Sequence, residues 1–283
     1  MRYNKAPLPF QGQKKGFIKQ FNELIRDEFS AYKDAIFLDA FGGSGLLSHN
    51  IKQIYPNARV IYNDFDNYSQ RLANIPTTNE ILRAISPICK KYKKGDKISP
   101  SDKEAIIKII DEFERQGYFI DAITLSLSLL FSGNYAHSWE DLKRAHFYPK
   151  GNIKTQYEAK GYLQGVEVVQ KDAIELIKEY ENEKCVLVLD PPYLQTDMAG
   201  YKHYWGLKDF LRLCDLVRDP FIFFSSSNSH ILEFLEWRIK DGNKNFKNYK
   251  IKQAKLSGIN FRAKTKDDYM IYKSGIKDLF DEI

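Results

Sequence analysis

At 283 residues, with 43% hydrophobic and 28% charged side chains, the chain has the make-up of one large globular core or a core with an insertion, and wholesale disorder is excluded. No apolar run reaches the roughly 18 residues of a membrane helix; residues 122–131 are interrupted by Thr124, Ser126 and Ser128, and residues 1–16 carry no apolar signal core. Cys89, Cys185 and Cys214 lack C-x-x-C spacing, which speaks against a disulfide framework or a cysteine zinc site and fits a reducing cytoplasm.

Phe17, Ile18, Phe21, Leu24, Ile25 and Phe29 stand at helical spacing within 14–32, predicting an amphipathic helix. The apolar run 35–40 ends at glycines and reads as a buried strand, 45–55 as a helix stopped before Pro56, and 58–63 as a second buried strand. Strand, helix and strand in so short a span predict a parallel βαβ unit. From about residue 75 the pattern becomes helical, at 81–92 and 101–131, and 132–165 is polar and aromatic with weak periodicity. Alternation then returns: strands at 166–170, 185–189 and 221–224, helices at 172–180, 206–217 and 229–238, and two closing strands, expected antiparallel, at 249–256 and 268–272. The simplest account is an α/β sheet domain, 1–74 plus 165–283, interrupted by a mostly helical insertion at 75–164. An insertion at the carboxyl edge of parallel strands lies beside the ligand crevice.

The sharpest motif is Asp190-Pro191-Pro192-Tyr193, directly after the apolar run 185–189. A carboxylate at the carboxyl end of a central parallel strand faces the crevice. The prolines stiffen the turn and remove two backbone donors, leaving carbonyl acceptors, and Tyr193 adds an aromatic face; a rigid turn with a solvated Asp is the plainer reading. Acceptors beside a ring suit an exocyclic amine on a planar base, whose delocalised lone pair they would draw toward tetrahedral geometry. The second motif, Asp39-Ala40-Phe41-Gly42-Gly43-Ser44-Gly45, leaves the first strand for a helix amino terminus, where a ligand can approach backbone closely. Its glycine spacing is not that of the dinucleotide folds. Asp64, with Phe65 beside it, ends the second strand where an acid would accept ribose hydroxyls, and Asp66 competes for that role. Asp172 opens a capping box with Glu175. His137 and His146 lack partners at metal-ligand spacing, so no metal is expected.

The tetrapeptide resembles the D/N/S-P-P-Y/F/W hallmark of amino-group DNA methyltransferases, and residues 39–45 match the D/E-x-F-x-G-x-G loop of class I S-adenosylmethionine-dependent enzymes. The order of glycine loop, acid, long insertion and tetrapeptide is similar to the Dam-like, alpha-group adenine-N6 methyltransferases. Phe10-Gln11-Gly12-Gln13-Lys14 resembles their opening aromatic-x-G-x-K segment, with Phe where Trp is commoner. Residues 223–230 resemble their strand ending in S-N-x-D, with His230 replacing the acid, and 256–262 with 268–272 resemble their basic hairpin.

The resemblance implies a Rossmann-like mixed sheet with 75–164 as target-recognition domain, and methyl transfer to N6 of an adenine flipped out of double-stranded DNA. It implies Asp190, Pro191, Pro192 and Tyr193 as the catalytic set. S-adenosylmethionine would rest on Phe10, Lys14, Asp39, Phe41, Gly42, Gly43, Ser44, Gly45, Asp64 and Phe65, with Asp172 and Asp190 bordering it; in related enzymes an acid near Asp172 lies close to the target base. Cytosine N4, RNA adenine and a cofactor-free DNA-binding relative are the alternatives. A cytoplasmic monomer with no membrane partner is expected, and a cognate restriction endonuclease is a candidate companion.

Residues 238–266 hold ten basic side chains and one acid, a local excess greater than the +6 of the whole chain. Such a face suits phosphates; a solvated lysine-rich surface is the alternative. Lys252, Lys255 and Arg262 are the phosphate candidates there, and Lys143 and Arg144, set among Tyr135, His137, Trp139, His146, Phe147 and Tyr148, those of the insertion, where core packing is an equal reading. Charge reversal at Lys252, Lys255 and Arg262 together is expected to weaken DNA binding steeply and flatten its salt dependence in a titration. Unaltered binding would leave the basic run as a solubility feature.

Overall fold

The computed structural model describes residues 3–131, 133–193, 205–226, 230–242, 246–255 and 267–275, with backbone alone at 254, 255 and 267. In chain order the elements are α1 (Ile18–Glu28), a 3₁₀ turn (Ser30–Tyr32), β1 (Ile36–Asp39), α2 (Leu46–Ile54), β2 (Arg59–Asn63), α3 (Tyr68–Ala73), α4 (Ile75–Cys89), α5 (Pro100–Arg115), α6 (Ala122–Leu129), α7 (Trp139–Arg144), β3 (Glu167–Val169), α8 (Ala173–Glu179), β4 (Cys185–Leu189), α9 (Leu207–Leu216), β5 (Phe221–Ser226), α10 (Ile231–Lys240), β6 (Lys250–Lys255) and β7 (Asp267–Lys273). They gather into two compact units: Met1–Ala6, Gly12–Asp66 and Tyr162–Ile283 form one, Pro7–Gln11 and Asn67–Gly161 the other. No described helix is long and apolar enough to cross a membrane.

The first unit is built on a seven-stranded sheet ordered β3-β2-β1-β4-β5-β7-β6. The strands from β3 through β5 pair in parallel, while β7 runs antiparallel to both β5 and β6. Every residue of β4 and β5 is buried, as continuous apolar runs covered on both faces should be. Leu38 lies between Ile61 and Leu187 in register, and Leu38, Leu187 and Leu189 share a core with Leu213 of α9 and Phe223 of β5. On α1, Phe21, Leu24 and Ile25 are buried, and the rings of Phe17 and Phe21 meet that of Phe224 at 5.6 and 6.1 Å. This register sets Asp39, Asp64 and Asp190 at the carboxyl edge of β1, β2 and β4.

The second unit is helical. Its bounds lie near the expected 75–164, but it takes in α3 and the segment around Phe10. The helix expected over 101–131 is two helices. Gly117 adopts φ +83 after α5, and Asp121 caps α6 by accepting from Thr124 N. α4 begins at Ile75, six residues before its expected start, because Pro76 falls in the first turn, where its missing N–H is harmless. α3 and α7 have six residues each, too short to show a period.

A buried ion pair links α3 to the start of α6 in this unit. Arg71 Nε lies 2.9 Å from Asp121 Oδ1, with the side chains 5% and 1% exposed. Arg71 Nη2 donates to Pro9 O and to Thr124 Oγ1, and Tyr68 exchanges hydrogen bonds with both backbone groups of Leu8. Asp121→Ala removes a helix cap and strands a buried guanidinium, so a loss of about 3–5 kcal/mol is expected in urea unfolding. A midpoint equal to that of the wild type would mean that solvent reaches Arg71.

Candidate active site

The loop after β1 is a tight turn, closed by Gly45 N donating to Gly42 O at 2.7 Å. Two positions in it require glycine. A Cβ on Gly42 would lie 2.1 Å from the Tyr62 ring, and Gly45, at φ +70, would meet Leu163 at 2.7 Å. From Gly45 the chain passes into α2, so the loop presents backbone at a helix amino terminus. The Tyr62 hydroxyl lies 2.7 Å from Gly43 O and 2.9 Å from Asp64 Oδ1, its single proton serving one at a time. Tyr162 donates to Ser44 O at 2.8 Å and stacks on buried His49, 4.7 Å between ring centroids.

Three carboxylates stand at this edge. Asp39 is fully buried; its Oδ2 accepts from Ser48 Oγ at 2.6 Å, and its Oδ1 has no hydrogen-bond partner among the described residues. Desolvation pushes its carboxyl up to about 7, the Ser48 hydrogen bond opposing and Asp190 adding to the rise. Asp64 is 3% exposed and its N–H donates to Val169 O. Asn63 braces the strand end by donating to Ala40 O and Lys171 O and accepting from Lys171 N.

Asp190 follows β4 with its side chain 16% exposed, and Lys14 Nζ lies 2.6 Å from Asp190 Oδ2. Burial raises the Asp190 carboxyl above its ordinary range while the Lys14 ammonium pulls it down. Lys14 Nζ sits 5.3 Å from the Tyr193 ring centroid and 5.8 Å from that of Phe224, and donates to Gly12 O at 3.0 Å.

Lys14, Asp39, Phe41, residues 42–45, Asp64 and residues 190–193 all lie in the first unit, where Asp190 interacts with Lys14 and Asp39, and Tyr62 links Gly43 to Asp64. The Phe41 ring meets Trp205 edge-on at 5.2 Å, and Phe65 is a large apolar side chain 40% exposed. Phe10 falls in the second unit, where its ring meets Tyr68. Asp172 caps α8, accepting from Ile174 N and Glu175 N. Lys143 is ringed by Asp111, Glu114 and Glu140, whereas Arg144 is exposed. Trp139 and Phe147 are core residues, and Tyr135 is exposed. In the basic run Arg238 pairs with Asp215 and Lys250 with Glu28. Lys252 lies on β6, Lys255 is described by backbone alone, and Arg262, the 194–204 stretch and Ser227 to Ser229 lie outside the described residues.

Sequence reasoning passed over Tyr62, Ser48, Tyr162 and Phe224. A tyrosine in a strand and a serine on a helix carry no local sign of what they touch. Only Phe224, in an aromatic run ending at the crevice, offered a signal.

The buried Asp39 carboxyl has a stability signature. Its folded-state pKa of about 7 exceeds the ordinary 3.8, so the fold favours the protonated form, and stability falls as pH rises from about 4 to about 7. Asp39→Asn retains an acceptor for Ser48 and removes the charge. The variant is expected to be more stable than the wild type by about 1–3 kcal/mol at pH 8 and to lose that advantage toward pH 4, measured by thermal melts. A pH-independent difference would contradict the assignment.

Residues 10–219 match the model of the D12 class N6 adenine-specific DNA methyltransferase family. A Haemophilus influenzae protein provisionally named a methyltransferase is 40% identical over 280 residues, an alignment covering 96% of this chain and 93% of that protein. The seven-stranded mixed sheet is accordingly a class I methyltransferase fold. With the glycine turn, the buried acids and the Asp-Pro-Pro-Tyr turn on one sheet edge, the chain belongs to the D12 class of N6 adenine-specific DNA methyltransferases.

Proposed function

We propose that the protein transfers a methyl group from S-adenosylmethionine to N6 of an adenine flipped out of double-stranded DNA. The family makes it an adenine-specific DNA methyltransferase, and so requires a methyl donor and a DNA substrate. The observation that carries the finer reading is that Asp39 and Asp190 interact electrostatically at the edge where Tyr62 ties Asp64 to the glycine turn. The residues fit this cofactor: Asp39 Oδ1 is a buried acceptor lacking a partner among the described residues, Gly42 admits no side chain, and Asp64 follows β2 where ribose hydroxyls are taken in related sheets. Phe41, Gly43, Ser44 and Phe65 complete the proposed cradle, and Lys14, Phe10 and Asp172 remain further candidates. When bound, S-adenosylmethionine supplies an electrophilic methyl carbon on a sulfonium sulfur.

The chain's own residues prepare the nucleophile. An adenine N6 inside a stacked duplex is out of reach, so the base must leave the stack. Asp190 accepts one N–H of the amine and the Pro191 carbonyl the other, drawing nitrogen toward tetrahedral geometry. Pro192 holds the turn rigid and Tyr193 stacks on the ring. Asp190 stabilises the charge that develops on N6 and accepts the proton the methylated amine sheds, a role favoured by its raised affinity for protons.

The helical unit, spanning Asn67–Gly161, is the proposed target-recognition domain. Arg144 and Tyr135 are its exposed candidates for DNA, and Lys252, Lys255 and Arg262 those for phosphates. Because the substrate is DNA, we place the protein in the cytoplasm, working as a monomer, with a cognate restriction endonuclease as a candidate companion. Asp190→Ala is expected to lower methyl incorporation into unmethylated plasmid DNA at least about 1,000-fold, while binding of the cofactor analogue sinefungin, measured by calorimetry, changes little. An active Asp190→Ala enzyme would remove the mechanism, and a wild type that binds no sinefungin would favour a DNA-binding relative without catalysis.

A further inference from the structure

Lys14 is held in an unusual place for a lysine. Its backbone is pinned where its carbonyl accepts from Phe17 N at 2.9 Å, and Phe17 packs against Phe224. Its side chain is 9% exposed, and its ammonium is enclosed by Asp190 Oδ2 at 2.6 Å, Gly12 O at 3.0 Å and the rings of Tyr193 and Phe224. A carboxylate acceptor beside an aromatic face is also what the preceding section assigns to the adenine amine. We propose that the Lys14 ammonium is a built-in placeholder for the target amine, occupying the Asp190 subsite until the base arrives and withdrawing when it docks.

The inference rests on the reading of Asp190 as acceptor for the amine. Withdrawal is required by charge: positive charge develops on N6, and an ammonium left on Asp190 would oppose it and consume the carboxylate's acceptor capacity. The long flexible stem allows the movement, and the Gly12 carbonyl is a second acceptor already in place. Until then the ammonium offsets part of the cost of burying the carboxylate. It also makes Lys14 a specificity-determining residue. A base that donates N–H to Asp190 restores what the ammonium gave, whereas the keto oxygen of guanine or thymine meets an acceptor and restores nothing.

Asp190 faces Lys14 from the amino-terminal segment, Asp39 from β1 and Tyr193 from its own turn. The test follows methyl incorporation into unmethylated plasmid DNA across pH for the wild type, Lys14→Met, Lys14→Gln and Lys14→Arg, repeated in an Asp39→Asn background to separate the two acids. Without its cation Asp190 holds its proton more strongly. In Lys14→Met and Lys14→Gln the pH below which kcat/KM falls should therefore rise by about 1–3 units, with KM for DNA lowered and sinefungin affinity within a few-fold of the wild type. Lys14→Arg should restore the wild-type profile. In a wild-type crystal complex with DNA and sinefungin, Lys14 Nζ should stand clear of Asp190, a check that does not depend on any variant folding. An active wild type with an unmoved acid limb in the neutral variants, sinefungin binding lost instead, would overturn the placeholder and leave Lys14 a cofactor ligand. So would a 2.6 Å Lys14–Asp190 pair persisting beside a docked base. No methylation by the wild type would remove the reading of the site, and this inference with it.

Discussion

The structure depends on one electrostatic constraint: carboxylates kept out of water at the carboxyl edge of a parallel sheet. Asp39 and Asp190 end neighbouring strands, and Asp64 closes the strand on the other side. Water is largely excluded from all three, so each must be protonated, hydrogen-bonded or paired. The protein uses all of these solutions. Asp39 is pushed toward the protonated form and leans on Ser48, Asp64 has the Tyr62 hydroxyl, and Asp190 has the Lys14 ammonium. Among the described residues Lys14 is the ammonium beside Asp190, and Asp39 avoids a second buried charge by its raised affinity for a proton.

The surrounding packing keeps these groups in register. Tyr62 touches both the glycine turn and Asp64, so the Gly42 to Gly45 backbone and the acid of the second strand are fixed by one ring. Tyr162, more than a hundred positions on, donates to Ser44 O of the same turn and stacks on His49 of α2. Such supporting contacts hold side chains to within about 0.5 Å, the precision that a catalytic constellation needs.

The sheet was legible in the sequence because its central strands are uninterrupted apolar runs, and residues 39–45 and 190–193 stood out because each follows such a run. The division of 101–131 into α5 and α6 was not, since Asp121 looks like any acid until Arg71, fifty positions away, is seen against it. The Lys14–Asp190 pair was equally hidden, spanning most of the chain. Lys143 shows the reverse: its basic character invited a DNA contact, and only the fold reveals Asp111, Glu114 and Glu140 around it. Local chemistry reads from local sequence, whereas pairing across the fold does not.

The account's central claim is that these groups activate an adenine amine in DNA. Its most direct test is nucleoside mass spectrometry with base-resolution sequencing of DNA from cells that express the protein and lack other adenine methylation. The account predicts N6-methyladenine at one short recurring sequence, absent when Asp190→Asn is expressed instead. DNA free of N6-methyladenine, or methylation equal in the Asp190→Asn cells, would contradict it.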